Sequence, residues 1–272
     1  MLPFVIFADA ADAARRGARL QARLDRLAQA EHADLDVREV GERRAPGQLV
    51  TPAAVFGLPV LEAARLQHLQ GNRRHIVEVD LEHDMLRIGE CLLNPGDFSA
   101  LCVCMGAFPS LGFYNGGAAA GASQSHKHLQ LVPLPLGGGE SATPIQPLLD
   151  AAPSGCAAGR VPGLGYAHAF CRLEAGLWKD PERAATAAWE RYIALLDALG
   201  IGVVSSGGEA RQSAPYNLLM TRDWMLAIPR LREHAAGISI NALGFAGSLF
   251  VKGPVDKQRL LALGPMQALE QV

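Results

Sequence analysis

Between Ser123 and Pro133 the chain reads S-Q-S-H-K-H-L-Q-L-V-P, so that His126, His128 and Gln130 recur at every second position within strand-forming residues. An extended strand turns successive side chains to opposite faces, and a period of two therefore predicts that both imidazoles and the carboxamide line one surface. Just upstream, G-F-Y-N-G-G-A-A-A-G-A-S-Q from Gly112 to Gln124 forms a loop of small residues whose backbone N–H groups can approach phosphate oxygens. Together the two features predict a site for chemistry on a charged group.

The whole run from Gly112 to Pro135, G-F-Y-N-G-G-A-A-A-G-A-S-Q-S-H-K-H-L-Q-L-V-P-L-P, resembles the His-x-His-x-Gln segment of the ATP adenylyltransferases. These are also called diadenosine tetraphosphate (Ap4A) phosphorylases and belong to the histidine-triad superfamily, whose Gln-bearing branch includes the galactose-1-phosphate uridylyltransferases. A second block is similar to the C-terminal domain of the same family: P-Y-N-L-L-M-T-R-D-W-M-L-A-I-P-R from Pro215 to Arg230, then I-S-I-N-A-L-G-F-A-G-S-L-F-V-K from Ile238 to Lys252. The resemblance runs from about Leu92 to Val272 and does not extend upstream.

The resemblance implies an α+β fold, a histidine-triad-like antiparallel sheet with flanking helices, in three segments. Residues 1–91 form an atypical or incomplete N-terminal part, residues 92–202 the catalytic region and residues 203–272 an adenylyltransferase-type C-terminal domain. It implies His128 as the nucleophile that takes an adenylyl group, and Gln130 as an amide donor to the reacting phosphate. Asn115, Gly121, Ala122, Ser123 and Gln124 match the stretch that holds the polyphosphate, His126 orients the chain around His128, and Lys127 adds positive charge. Asn217 matches a segment that closes over the substrate.

The reaction implied is Ap4A plus phosphate giving ATP and ADP through an adenylyl-histidine, with ATP adenylyltransfer as its reverse. The ligands would be small nucleotides; no cofactor is required, magnesium entering only with the nucleotide's phosphates. A neutral imidazole can attack phosphorus and divide one displacement into two. A glutamine cannot serve as general acid, which suits a leaving group such as ATP that needs no proton from the enzyme.

The first ninety residues depart from this pattern. The family carries an N-P-F-type segment and a strand with L-N-K-F, whose asparagine and lysine contact phosphates, and neither occurs here. Asn72-Arg73-Arg74 and Asn94-Pro95 are the nearest substitutes. Two readings follow: a diverged segment in which Arg73 or Arg74 replaces the lysine, or a shifted reading frame that leaves a partial catalytic domain. The abrupt onset of similarity favours the second, and residues before about 90 are then expected to add little regular sheet. An impaired nucleotide-binding relative and a dinucleoside polyphosphate hydrolase stand as alternative functions; a sugar-nucleotide transferase fits the loop and the C-terminal block less well.

Composition narrows the setting. With 25 basic against 27 acidic residues there is no electrostatic footprint for nucleic acid or an anionic membrane, and no apolar run reaches the length of a membrane span. Cys91, Cys102, Cys104, Cys156 and Cys171 make an odd set without a C-x-x-C pair, which with no secretory leader predicts reduced, buried thiols in a cytoplasmic protein.

Periodicity and turn signals predict helices over Asp9–Gln29, Gly96–Ala107 capped by Asp97, Ala184–Leu199, Asp256–Leu263 and Met266–Gln271. Strands are expected over Leu111–Asn115, Lys127–Pro133, Tyr216–Thr221, Trp224–Ile228 and Ile238–Val251, and loops over Gly41–Pro59 and Leu134–Pro162. Met220, Trp224, Phe245 and Phe250 read as core, and His168 as a packed structural histidine.

Overall fold

The computed structural model describes residues 5–7, 64–68, 77–81, 92–123, 127–136, 141–206 and 209–272. The expected helix at Asp9–Gln29, the loop at Gly41–Pro59 and Cys91 lie outside them. Seven strands form the central sheet: β1 Ala64–His68, β2 Val77–Leu81, β3 Ser110–Gly116, β4 His128–Pro133, β5 Ala169–Arg172, β6 Tyr216–Met220 and β7 Trp224–Pro229. Their order across the sheet is β1-β2-β4-β3-β6-β7-β5, with every neighbouring pair antiparallel. The helices are α1 Pro95–Ala107, α2 Gln146–Asp150, α3 Pro181–Ala198, α4 Ala242–Phe245, α5 Pro254–Leu263 and α6 Pro265–Glu270.

Strand alternation sorts the core into two layers. Tyr114, Leu129, Leu131, Leu218, Met220, Met225 and Cys171 meet α1 and α3 on one face. Leu111, Phe113, Val132, Leu219, Trp224, Leu226 and Phe170 meet α4, α5, α6 and the 145–166 connection on the other. The architecture is the expected helix-covered antiparallel sheet. Among the described residues no helix is long and apolar enough to cross a membrane.

The N-terminal segment contributes more sheet than its composition suggests. β2 pairs directly with the histidine strand, Val79 opposite Leu129 and Asp80 opposite His128, and β1 pairs with β2 in turn. The signal was the alternation V-E-V-D-L, concealed among charged neighbours. Residues 5–7 pair in parallel with Ser248–Phe250, away from the central sheet.

Three further expectations are corrected. Helix α1 is capped by Asn94, not Asp97: the Asn94 carboxamide accepts from Asp97 N–H at 3.1 Å, and the Asp97 carboxylate accepts from Asn94 N–H at 2.7 Å. Asn94-Pro95 thus forms a capping box with proline at the first helical position. The run Ile238–Val251 is not one strand, because Asn241 accepts from Leu243 N–H and starts α4 in its middle. A side chain on Gly244 would crowd Ile240 and Leu249 at 2.9 and 3.1 Å, so that turn requires a residue without Cβ. Phe250 is 39% exposed, unlike buried Met220, Trp224 and Phe245.

Cys102, Cys104 and Cys171 are buried as expected, and desolvation pushes their thiols up to about 12, 11 and 12, which suits inert packing groups. Tyr192 of α3 ties the layers together: its hydroxyl accepts from Leu93 N–H at 3.1 Å and shares a 2.7 Å hydrogen bond with the Tyr216 hydroxyl of β6. Phe98 of α1 packs 5.1 Å from the Tyr192 ring.

His168 is also structural. Its Nε2 accepts from Val161 N–H at 2.8 Å, which leaves the proton on Nδ1 to donate to the Tyr166 carbonyl at 2.9 Å. Burial holds its pKa below the ordinary imidazole value, against the opposing pull of the Tyr166 carbonyl.

Two stability outcomes follow. Tyr192→Phe leaves a buried N–H without its acceptor and should cost about 1–3 kcal/mol in urea unfolding, with an unchanged m-value; a loss under about 0.5 kcal/mol would show that the hydroxyl pair is dispensable. Because the fold keeps His168 neutral, the unfolded chain binds the extra proton first. Its contribution is therefore complete above about pH 6.5 and falls as pH drops below that value. Urea midpoints measured between about pH 5 and about pH 8 should show this slope in the natural chain and a flatter one in His168→Gln. Equal slopes would remove His168 as its source.

Candidate active site

Strand β3 ends at Gly116 and the chain enters a tight loop before reappearing as β4 at His128. Gly117 and Gly121 both take positive φ, 99° and 83°, and frame a single 3-10 turn over Ala118–Ala120. Inside the loop Ala120 N–H and Ala122 N–H both donate to the Gly117 carbonyl, and Gly121 N–H donates to the Ala118 carbonyl. These three donors are used within the loop itself. A Cβ at Gly121 would lie 3.2 Å from the Ile240 carbonyl and 3.3 Å from Asn241, so the loop rests directly on the chain leading into α4.

His128 and Gln130 are half-buried and share the sheet face that carries Phe113 and Val132. Gln130 is the register partner of Phe113, and Asn115 and His128 come next beyond the Tyr114–Leu129 pair. His128 and Gln130 therefore share one face as expected, and Asn115 stands on the same face. Ser123 is exposed at the end of the loop, and Gly121 and Ala122 are half-buried within it. Gln124 and His126 lie outside the described residues, as do Arg73 and Arg74.

Lys127 goes elsewhere. Its ammonium pairs with the Asp97 carboxylate at 2.8 Å, with both side chains largely buried, so its charge is matched by the carboxylate that closes the α1 capping box. This is a link between the histidine strand and a helix start on the opposite layer, and it fixes where β4 begins.

Asn217 is fully buried and satisfied within the protein. Its Nδ2 donates to Asn115 Oδ1 at 2.8 Å and to the Ala120 carbonyl at 2.9 Å, while its Oδ1 accepts from Arg230 Nη1. Asn115 Oδ1 accepts a second hydrogen bond from Ala242 N–H at 2.9 Å. The two asparagines are register partners on β3 and β6, so the sheet delivers them to one another. Nearby, Gln212 Nε2 donates to the Gly116 carbonyl at 2.7 Å and anchors the strand end where the loop starts.

Arg230, only 2% exposed, was not singled out by the sequence. Its guanidinium donates to Asn217 and to the carbonyls of Ala120, Arg232 and Glu233, and it lies 5.2 Å from the centre of the Phe245 ring. Burial lowers its pKa to about 10, and it remains a cation at neutral pH. The only trace of this in the sequence is an arginine following Pro229 at the end of an apolar strand. That pattern ordinarily marks a solvated terminus.

What the arrangement can do chemically is narrow. A histidine and a glutamine two residues apart on one sheet face suit nucleophilic attack on phosphorus with an amide donor alongside. Comparison with known proteins gives the family and the fold. Residues 81–151 match the family model described as the Ap4A phosphorylase N-terminal domain, and residues 162–272 that of the ATP adenylyltransferase C-terminal domain. No curated protein sequence matches the chain.

Among solved structures the fold is similar to yeast Ap4A phosphorylase Apa2, at 19% identity and a TM-score of 0.59, over 76% of this chain and 71% of that one. The same yeast protein in complex with Ap4A gives 18% identity and a TM-score of 0.58 over 80% and 74%. Its complex with AMP gives 19% and 0.54 over 71% and 66%. The structural likeness establishes the fold; the family rests on the two successive models, which between them take in most of the sequence, including His128, Gln130 and Asn217. The chain belongs to the family of Ap4A phosphorylases and ATP adenylyltransferases.

Proposed function

We propose that this protein is a nucleotidyltransferase that uses His128 to carry an adenylyl group between Ap4A and phosphate. The observation that carries the reading is the placement of His128 and Gln130 on one sheet face, shared with Asn115, within a chain matching both family domains. An imidazole nitrogen of His128 attacks the α-phosphorus of Ap4A. The bond to the bridging oxygen breaks, and ATP leaves with the electron pair. Inorganic phosphate then attacks the adenylyl-histidine, giving ADP and restoring the imidazole. Gln130 has an amide N–H to place on an oxygen that gains charge during both steps. The chemistry calls for no cofactor beyond whatever magnesium the nucleotide brings. The setting we infer is the cytoplasm.

Lys127 and Asn217 support the site from behind in this reading, since their polar groups are already matched by Asp97, Asn115, Ala120 and Arg230. A second reading, an impaired nucleotide-binding relative, draws on β2. The register partners of His128 and Gln130 on that strand are Asp80 and Glu78. Neither position supplies the family's lysine, and its Asn-Lys pair is absent from the chain.

Incubation with Ap4A should leave an acid-labile AMP on His128, seen by mass spectrometry and absent from His128→Ala. Adenylylation at another residue, or on the His128→Ala protein, would overturn the assignment. Gln130→Ala should retain binding and slow adenylylation by about 10²-fold, the effect of one lost oxyanion donor. Release of ADP rather than AMP from the adenylylated protein would separate phosphorolysis from hydrolysis. With charge-assisted phosphate contacts of roughly 1.5–3 kcal/mol each missing, turnover should fall below the ordinary enzymatic range of about 1–10³ per second. Turnover inside that range would favour an intact clamp built from other residues.

A further inference from the structure

The polar network behind the glycine loop has a direction, set by its members of fixed character: the Arg230 guanidinium and the Ala242 N–H can only donate, and the Ala120 carbonyl can only accept. An arginine side chain has five N–H donors and no acceptor. Its contacts among the described residues are all neutral: the Asn217 carboxamide, three backbone carbonyls and the Phe245 ring. Any group that shares a hydrogen bond with Arg230 must therefore turn an acceptor toward it.

That requirement travels. With Oδ1 of Asn217 held by Arg230, its NH2 must face the other way, where it meets Asn115 Oδ1 and the Ala120 carbonyl, both acceptors. With the carboxamide of Asn217 turned over, oxygen would meet two oxygens and nitrogen would meet the guanidinium. Asn115 inherits its own orientation in the same way. Its Oδ1 accepts from Asn217 and from Ala242 N–H, which fills both lone pairs. The NH2 of Asn115 is the group that remains. Asn115 stands on the sheet face shared with Gln130, in the position following the Tyr114–Leu129 pair, next to His128.

We propose that Arg230 is a positioning residue that fixes the donor polarity of the Arg230–Asn217–Asn115 relay, so that Asn115 presents an NH2 donor, not a carbonyl oxygen, on the His128 side of the sheet. The ligand this selects is an anionic oxygen acceptor such as a nucleotide phosphate. A reversed relay would set a carbonyl dipole against that charge. The same relay seats the loop at Ala120 and holds α4 through Ala242. The proposal rests on the nucleotide reading only for the identity of the ligand; the relay itself is a property of the fold.

The test compares Arg230→Lys, which keeps a donor-only cation, with Arg230→Gln, whose carboxamide can face Asn217 either way. The first readout is hydrogen exchange of the Asn217 side-chain NH2 by NMR, because a buried NH2 with both protons bonded exchanges slowly. In the natural chain and in Arg230→Lys this pair should be protected. In Arg230→Gln it should exchange at least tenfold faster, with backbone amides of α3 unchanged. Retained protection in Arg230→Gln would overturn the proposal, as would lost protection in Arg230→Lys, which also decides the matter should the glutamine variant fail to fold.

The second readout is AMP affinity by calorimetry, well below each protein's melting temperature. Arg230→Gln should bind AMP at least tenfold more weakly while Arg230→Lys stays within threefold of the natural chain. Equal affinities with a lowered melting temperature would reduce Arg230 to a purely structural role. If the natural chain binds no AMP, the nucleotide reading fails, and the exchange measurement still decides whether Arg230 orients the relay.

Discussion

Strand β3 is flanked by β4 on one side and β6 on the other, and its residues are buried on both sheet faces apart from Asn115. Its register with those two neighbours decides where every polar group of the site stands. Because side chains alternate, a slip of one residue would exchange Tyr114 for Asn115 on the polar face and place a carboxamide among Leu129, Leu218 and the aromatic rings of α3. Burying an amide there without a partner would cost a few kcal/mol, on the order of 1–3 by mutational measure. The hydrophobic packing of one face thus enforces the polar geometry of the other, and the apolar residues of β3 belong to the account of the site as much as Asn115 does.

The loop that follows β3 is held at both of its flanking glycines. Gly116 lies against Gln212, Tyr114 and Tyr216, and Gly121 lies against the backbone at Ile240 and Asn241. Residues so far apart in sequence meet because β6, from the C-terminal block, is an inner strand of the sheet beside β3. Neither family segment could build this loop alone: one supplies the glycines and the histidine, the other the surfaces they press upon. Lys127 provides the matching restraint on the opposite layer, where its pairing with Asp97 joins the start of β4 to the start of α1.

Much of this was legible in the chain. The period-two spacing of His128 and Gln130 placed them on one face, and α1, α3, α5, α6, β3, β4, β6 and β7 were located within a few residues, because apolar periodicity and local caps agree there, whereas the short elements α2 and β5 were not foreseen. The failures have physical causes. The apolar run Ile238–Val251 satisfies a strand pattern and a buried-helix pattern equally, and the capping side chain of Asn241 decides between them. Asp97 suits a cap by residue type, but it is the reciprocal partner in a capping box whose cap, Asn94, stands three residues earlier, ahead of the proline at the first helical position. β2 was missed because a strand at the side of a sheet gains its order from its neighbour, here the backbone of β4, rather than from its own composition. Arg230 was invisible for a different reason: the burial of a charged side chain depends on acceptors gathered from Asn217, Ala120, Arg232 and Glu233, and no spacing in the sequence announces that meeting.

The two faces of the sheet solve different problems. On the α1 and α3 side the demand is volume, and it is met by Leu, Met and aromatic side chains with one hydroxyl pair, Tyr192 and Tyr216, to satisfy Leu93. On the His128 side the demand is direction: a ligand rich in anionic oxygens is distinguished by which dipole end it meets, and amide side chains present either end with nearly the same shape. Packing cannot choose between the two orientations of Asn115 and Asn217, since oxygen and NH2 occupy almost equal volumes. Only a neighbour with fixed hydrogen-bonding character can. A buried arginine is costly to desolvate, and burial lowers its pKa to about 10, yet at neutral pH it keeps its charge and offers donors with no acceptor. Beside Asn217 it joins the Ala120 carbonyl and the Ala242 N–H as a group of fixed hydrogen-bonding character, which is what a site needs when chemistry depends on the sense of a dipole rather than on its position alone.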